Sequence, residues 1–230
     1  MHPEICRIGP LVIYSYGLML VIAFTCAVSL ASAEAKRQNI DSEAIFNVCF
    51  LAFISGIIGA RILYVVEHFK DYLGAPLEII MIQHGGLSWF GGLIFGVLSG
   101  LIYLRIKKLP VLKVLDIIAP YIALAQSIGR IGCYFNGCCY GSTPYLPTQI
   151  YSSLLLLLIF LFLRNFQFRP HKEGQVIVLY LILYSVKRFF IEFWRLEHSP
   201  ILFGLNLFQL ISIVVFITAL LIHRAIKIKK

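Results

Sequence analysis

Charge is what this sequence has least of. Only 13% of its 230 residues are Asp, Glu, Lys or Arg, while 60% are hydrophobic. A soluble domain carries about twice that charged fraction. The mean hydropathy of +0.87 points the same way. These figures exclude a soluble globular domain and leave an integral membrane protein built of helices. The net charge of +9 does not mark a nucleic-acid binder, because the basic residues lie between apolar runs, where they report topology. No internal repeat and no low-complexity linker interrupts the chain, so a single transmembrane helical domain is expected over 1–230. A Cys-x-x-Cys pair is missing, which removes the usual dithiol redox motif. No acidic residue is expected deep in an apolar run, which argues against an ion-coupled transporter.

Seven apolar runs remain, near 11–32, 45–66, 87–104, 111–130, 151–166, 175–195 and 203–223. Each approaches the 20 or so residues that a spanning helix needs. Ala31-Ser32-Ala33 after the first run resembles a signal-peptidase site. The run is long for a signal peptide and Glu4 precedes it, so a retained first helix is expected. Alternate connections hold thirteen of the twenty basic residues: Lys36 and Arg37; Arg105, Lys107, Lys108 and Lys113; Arg164, Arg169 and Lys172; and Arg224, Lys227, Lys229 and Lys230. The other side has Arg7 and Lys70, and the 131–150 segment has no Lys or Arg. The positive-inside rule then predicts an outer N-terminus and a cytoplasmic C-terminus. It also puts the 67–86 and 131–150 segments on the outer, exocytoplasmic side.

The most unusual stretch is Gly129-Arg130-Ile131-Gly132-Cys133-Tyr134-Phe135-Asn136-Gly137-Cys138-Cys139-Tyr140-Gly141. It reads as an arginine at the bilayer edge beside a glycine-rich turn, which is costly unless an anion meets the charge. Four other basic residues lie in or at the ends of runs: Arg61, Lys187, Arg188 and Arg195. Snorkelling accounts for Lys187 and suits Arg195. Arg61 and Arg188 sit too far inside, and a guanidinium cannot shed its charge. Tyr184, Arg188, Glu192 and Arg195 follow i, i+4, i+8, i+11 and share a face. Arg188 is expected to pair with Glu192. Arginines converging near the outer leaflet suit a phosphate, and a lipid headgroup supplies one at that depth.

Gly85-Gly86-Leu87-Ser88-Trp89-Phe90-Gly91-Gly92-Leu93-Ile94-Phe95-Gly96 is a second glycine cluster. It predicts close helix packing and a turn with positive φ, not a nucleotide loop. Cys133, Cys138 and Cys139 read as structural thiols or a disulfide, with a direct chemical role left open. A metal site needs more ligands than this segment offers, so no metal and no cofactor are expected. His84, beside the second glycine cluster, is a possible base.

Six motifs in order resemble the prolipoprotein diacylglyceryl transferase family. The 129–141 stretch resembles its signature G-R-x-x-N-F-x-N-G-E-x-x-G. Tyr16-Gly17, Gly59-Ala60-Arg61, Gly85 to Gly96, Pro147-Thr148-Gln149-Ile150-Tyr151, and Tyr184-Ser185-Val186-Lys187-Arg188 with Glu192-Phe193-Trp194-Arg195 resemble the rest. The resemblance implies transfer of the diacylglyceryl group of phosphatidylglycerol to the lipobox cysteine of prolipoproteins in the bacterial inner membrane, releasing glycerol 1-phosphate. It implies that Arg130 binds the phosphate. It gives Arg188, with Tyr184 beside it, the stabilisation of the leaving phosphate. Tyr16, Arg61, Asn136, Gly141, Glu192 and Arg195 would complete the substrate site. The chain departs from the family at Phe90, where the family has a histidine, and at Cys133, Cys138, Leu146 and Ser152, marking a Cys-bearing branch. Two other readings are a transferase with a different acceptor and a thiol-redox or binding protein using the three cysteines.

Overall fold

A computed structural model describes residues 4–8, 11–81, 85–139, 141, 147–195, 201 and 203–228, with backbone alone at 4, 7, 8 and 11–13. The chain forms two compact units, Ala35–Val111 and the remainder.

In the Ala35–Val111 unit, α2 (Ser42–Glu67) packs along α4 (Trp89–Ile106). The Asp41 side chain caps α2 by accepting from Glu43 N at 3.0 Å. The seam is made of small residues. A Cβ on Gly91 would overlap the carbonyl oxygen of Gly59, and one on Gly96 would lie 3.0 Å from the oxygen of Ala52. Such seams let helix backbones approach where lipid offers no hydrophobic drive to associate. A hydrogen bond of 2.5 Å between the Ser55 and Ser99 hydroxyls crosses the same seam. Between the helices run a short helix α3 (Phe69–Tyr72) and a 3₁₀ turn over Pro76–Ile79. Gly85 and Gly86 take positive φ, +85° and +79°. The second glycine cluster therefore divides into a turn and a packing seam, as its sequence predicts.

The other unit begins with an antiparallel hairpin, β1 (Glu4–Ile8) and β2 (Leu11–Tyr14), paired from Glu4↔Tyr14 to Ile8↔Leu11. Helix α1 (Ser15–Arg37) thus starts later than the apolar run at 11. Ala31-Ser32-Ala33 lies within α1. Then come α5 (Val111–Asn136), α6 (Thr148–Gln167), α7 (Gln175–Glu192) and α8 (Leu207–Ile228). Ala119 and Ala123 of α5, Ile159 and Leu163 of α6, and Val176 and Tyr180 of α7 form a common core. Outer faces are apolar: Leu154, Leu158, Leu161 and Phe162 of α6 are exposed, while Gln149, Ser152 and Ser153 are buried. That inversion suits lipid around the bundle.

One end of this unit is tied by polar contacts that the sequence reading did not foresee. Asp116 is buried in α5, contrary to the expectation that no acid lies deep. Its carboxylate accepts from Gly174 N at 2.6 Å and Ile177 N at 2.8 Å, capping the first turn of α7. The cap must come from elsewhere because the N-cap residue, Gly174, has no side chain. Gln167 Nε2 donates to the Asp116 carbonyl at 2.9 Å. Arg164 pairs with buried Glu34 at 2.6 Å. Arg164 therefore belongs to α6 rather than to a loop. Lys172 Nζ donates to the carbonyls of Ile226 and Lys227, at the end of α8.

Among the described residues, six helices are long and apolar enough to cross a membrane: α1, α2, α4, α5, α6 and α8. The remaining long helix, α7, carries Lys187, Arg188 and Glu192. It ends at Glu192, so Arg195 lies beyond the helix and not on its face. Helix α5 runs on to Asn136, past the expected end at 130, so Ile131 to Asn136 is helical rather than a turn.

Two glycine substitutions should act in opposite directions in thermal unfolding of the detergent-solubilised protein. Gly91→Ala drives a methyl into the Gly59 backbone and should cost about 1–3 kcal/mol. Gly129→Ala meets nothing within 4 Å and should gain about 0.5–1 kcal/mol from lost chain entropy. Asp116→Ala removes the α7 cap and should cost about 1–2 kcal/mol in the same measurement.

Candidate functional site

The site is organised by the way α5 ends. Gly137 takes φ +73°. Cys138 N donates to Cys133 O at 3.2 Å and Gly137 N to Tyr134 O at 3.3 Å. This paired closure is a Schellman motif, which needs a residue with positive φ where glycine stands. It folds the chain back, so that Cys138 and Cys139 return toward Cys133 one turn up the helix. The three Sγ atoms lie within 4.8 Å of one another, all as free thiols. No disulfide joins them.

The returning segment is fastened to α6 and to the end of α7. Gln149 Nε2 donates to Cys138 O at 2.7 Å, and Thr148 Oγ1 to Cys139 O at 3.2 Å. Gly141 forms an antiparallel bridge with Arg195. A Cβ there would strike Thr148 and the Trp194 carbonyl, so glycine is required for the close approach. The Asn136 side chain hydrogen-bonds the Cys138 thiol. Tyr16 of α1 packs where Gly132 leaves room: a Cβ on Gly132 would lie 3.4 Å from its ring and 2.9 Å from Met19 Cβ. Of the two thiols past the helix end, Cys139 is pushed down to about 5, chiefly by a hydrogen bond from Cys133. The positive charges of Arg195 and Arg130 act in the same direction. Burial pushes Cys138 up, and the charge of Cys139 adds to the rise.

Arg130, Lys187, Arg188, Arg195 and Glu192 act electrostatically on one another. Arg188 Nη2 lies 3.1 Å from Glu192 Oε2, the pairing expected from their i, i+4 spacing. The Arg188 guanidinium also stacks over the Phe208 ring, 4.7 Å from its centre. Among the described residues Arg130 has no hydrogen-bond or ion-pair partner. Lys187 does not snorkel. It is 6% exposed, its ammonium faces the Tyr184 ring at 5.4 Å, and its Nζ has no hydrogen-bond partner. The cue was its i+3 spacing from Tyr184, which puts both on one face. Gln149 Oε1 and Ser152 Oγ are also buried without partners. Tyr180 of α7 donates to Gln126 Oε1 of α5 at 3.0 Å and packs beside Tyr184.

The structure thus gathers Tyr16, Arg130, the three cysteines, Asn136, Gly141, Tyr184, Lys187, Arg188, Glu192 and Arg195 in one unit. Arg61 belongs to the other unit. It is buried and spends its guanidinium on loop carbonyls: Nε on Ile79 at 2.9 Å, Nη1 on Gly85 at 2.6 Å and Gly86 at 2.9 Å, and Nη2 on Glu78 and Met81. Phe90, also in that unit, lies on α4. His84 and Leu146 lie outside the described residues.

A family model described as prolipoprotein diacylglyceryl transferase matches residues 3–224. A relative from Clostridium tetani (strain Massachusetts / E88) is 32% identical over 249 residues, covering 100% of both chains. One from Clostridioides difficile (strain 630) is 36% identical, over 90% of this chain and 88% of its own. One from Streptococcus uberis (strain ATCC BAA-854 / 0140J) is 35% identical, over 94% and 92%. All three are named phosphatidylglycerol–prolipoprotein diacylglyceryl transferase. A match of this extent, together with the ordered motifs around Arg130 and Arg188, makes the chain a member of the prolipoprotein diacylglyceryl transferase family.

Proposed function

We propose that this integral membrane protein transfers the diacylglyceryl group of phosphatidylglycerol to the lipobox cysteine of prolipoproteins, forming a thioether and releasing glycerol 1-phosphate. The observation that carries the site assignment is the cation excess around α5 and α7. The basic side chains of Arg130, Lys187, Arg188 and Arg195 share a locality in which Glu192 is the one carboxylate among the described residues. Partly buried guanidinium groups in such excess favour an anion, and a phosphodiester headgroup accepts their fork.

In this reading Arg130 binds the phosphate of the incoming lipid. The acceptor sulfur attacks the glyceryl carbon, the carbon–oxygen bond to phosphate breaks, and negative charge builds on the departing oxygen. Arg188 is held in place by Glu192 and Phe208 and stabilises that charge, with Tyr184 beside it. Lys187 adds a buried amine, with no hydrogen-bond partner of its own among the described residues, that can donate to the headgroup. Tyr16, Asn136 and Gly141 shape its entrance and Arg195 fixes the returning loop. Arg61 serves by ordering the 78–86 loop. An apolar groove of about 160 Å³ between Val186, Phe189 and Phe190 of α7 and Ile213 and Phe216 of α8 suits an acyl chain. Counting α7 as a span gives seven in one transmembrane domain. The Lys/Arg distribution then supports an outer N-terminus, a cytoplasmic C-terminus, and a site facing the exocytoplasmic side of the cytoplasmic membrane.

Nanodiscs containing the protein and phosphatidylglycerol should add a diacylglyceryl mass to a lipobox peptide. An unmodified peptide, under conditions where the Clostridium tetani relative works, would refute the reading. A product of another mass would instead identify a different acceptor. Arg130→Ala and Arg188→Ala should each lower kcat/KM about 10²–10³-fold with helical content unchanged. Arg130→Lys should also be impaired, because it keeps the charge and loses the fork. Lys187→Met should raise KM for the lipid about tenfold, with kcat changing less.

A further inference from the structure

The arginine chemistry leaves three thiols unused. Cys133, Cys138 and Cys139 come from a helix end and the chain that folds back over it. Their sulfurs lie within 4.8 Å of one another, with the Cys138 and Cys139 sulfurs 3.5 Å apart. A metal ion with metal–sulfur bonds of about 2.3 Å sets tetrahedral sulfur pairs about 3.8 Å apart. The Cys138–Cys139 pair is close to that spacing, and the other two pairs lie within 4.8 Å, within reach of it. A disulfide would need about 2.05 Å between two sulfurs and would leave the third without a role.

We propose that Cys133, Cys138 and Cys139 form a three-thiolate site for zinc, whose open fourth position takes the acceptor thiol. The metal site stands on geometry alone. The fourth ligand rests on the transferase reading given under Proposed function. Three protein ligands with one position open is the pattern of catalytic rather than structural zinc sites.

Three further observations support it. The backbone that presents the sulfurs is fixed on every side. The Schellman closure sets Cys138 against Cys133, Cys139 is held at φ +64°, and Gln149 and Thr148 bind the carbonyls of Cys138 and Cys139. Outer bonds of this kind hold metal ligands in orientation. Charge is also compatible. Zinc with three thiolates is a net anion, and Arg130 and Arg195 both act electrostatically on Cys139. Finally, all three sulfurs are free thiols, none committed to a disulfide.

A thiol that coordinates zinc is deprotonated outright, so no side-chain base is required to activate it. On coordination the acceptor S–H proton passes to water. The sulfur lone pair then forms the S–C bond to the glyceryl carbon. The C–O bond to phosphate breaks and its electron pair leaves with glycerol 1-phosphate. Zinc keeps its oxidation state throughout. The thioether product is a poor zinc ligand and vacates the fourth position.

The test uses the full chain, purified under reducing conditions into phosphatidylglycerol nanodiscs. Zinc content is measured by elemental analysis and cobalt(II) alone is titrated as an optical probe. The expected result is near-stoichiometric zinc and an intense thiolate-to-cobalt charge-transfer band. Cys133→Ser, Cys138→Ser and Cys139→Ser should each weaken zinc binding at least tenfold or so, a loss that even outer-shell changes produce. Cys26→Ser and Cys49→Ser, in α1 and α2, should leave it unchanged. A lipobox peptide should strengthen the cobalt band as a fourth thiolate arrives, and a peptide with serine for cysteine should not. Reduced, folded wild-type protein that binds neither zinc nor cobalt overturns the proposal, whatever the variants do. So does a Cys133→Ser, Cys138→Ser or Cys139→Ser variant that keeps full zinc affinity. Transfer at an undiminished rate in metal-free protein overturns the catalytic role and leaves the transferase reading standing. Metal bound with no transfer under any condition supports the site and sinks the transferase reading.

Discussion

Everything near the site depends on keeping cations where lipid and packed side chains surround them. A guanidinium in such a place has no water to solvate it and cannot neutralise itself by losing a proton. The fold solves this twice, in different ways. Arg61 is saturated by the carbonyls of a loop that wraps its side chain. Arg188 takes a carboxylate one turn along its own helix. Arg130 and Lys187 receive neither solution among the described residues. That difference separates a guanidinium whose hydrogen bonds are met from basic groups that have none among the described residues, although all of them look alike as basic residues within apolar runs.

The loop after α5 shows how local chemistry is converted into a site. Asn136-Gly137 ends the helix because glycine accepts the positive φ that closes its last carbonyls. The reversal brings two thiols back to a third, and three separate contacts hold it: Gln149, Thr148 and the Gly141–Arg195 bridge. Gly132, one turn earlier, serves a different purpose, leaving space for Tyr16 and Met19 of α1. The glycines of this stretch therefore perform three separate jobs: closing the helix, admitting a neighbouring helix, and passing close to α6.

Several site residues were legible in the sequence. The spacing of Arg188 and Glu192 gave their ion pair, and the motif order gave Arg130, Asn136 and Tyr16 as neighbours of the signature. The misreadings have a common cause. Gly132 suggested a turn, but glycine in a membrane helix often marks close approach instead, here to Met19 and Tyr16. Arg195 was carried on the helical face of α7, yet that helix ends at Glu192 and Arg195 joins a bridge to Gly141. Lys187 was assigned to the surface because no partner stands near it in sequence. Its burial depends on helices that pack against α7 from elsewhere in the chain.

The sequence by itself determined the class of protein, the helical runs and the α2–α4 seam. In an apolar medium each backbone N–H must be satisfied, and a helix does this within its own segment, so run length and composition suffice. Only the tertiary structure decided which polar groups meet. Asp116 caps α7 from 58 residues away because Gly174 cannot. Arg164 reaches Glu34 across 130 residues. Cys133, Cys138 and Cys139 converge only because Gly137 reverses the chain and α6 holds it there. Contacts of that kind depend on how the segments pack, which no local spacing encodes.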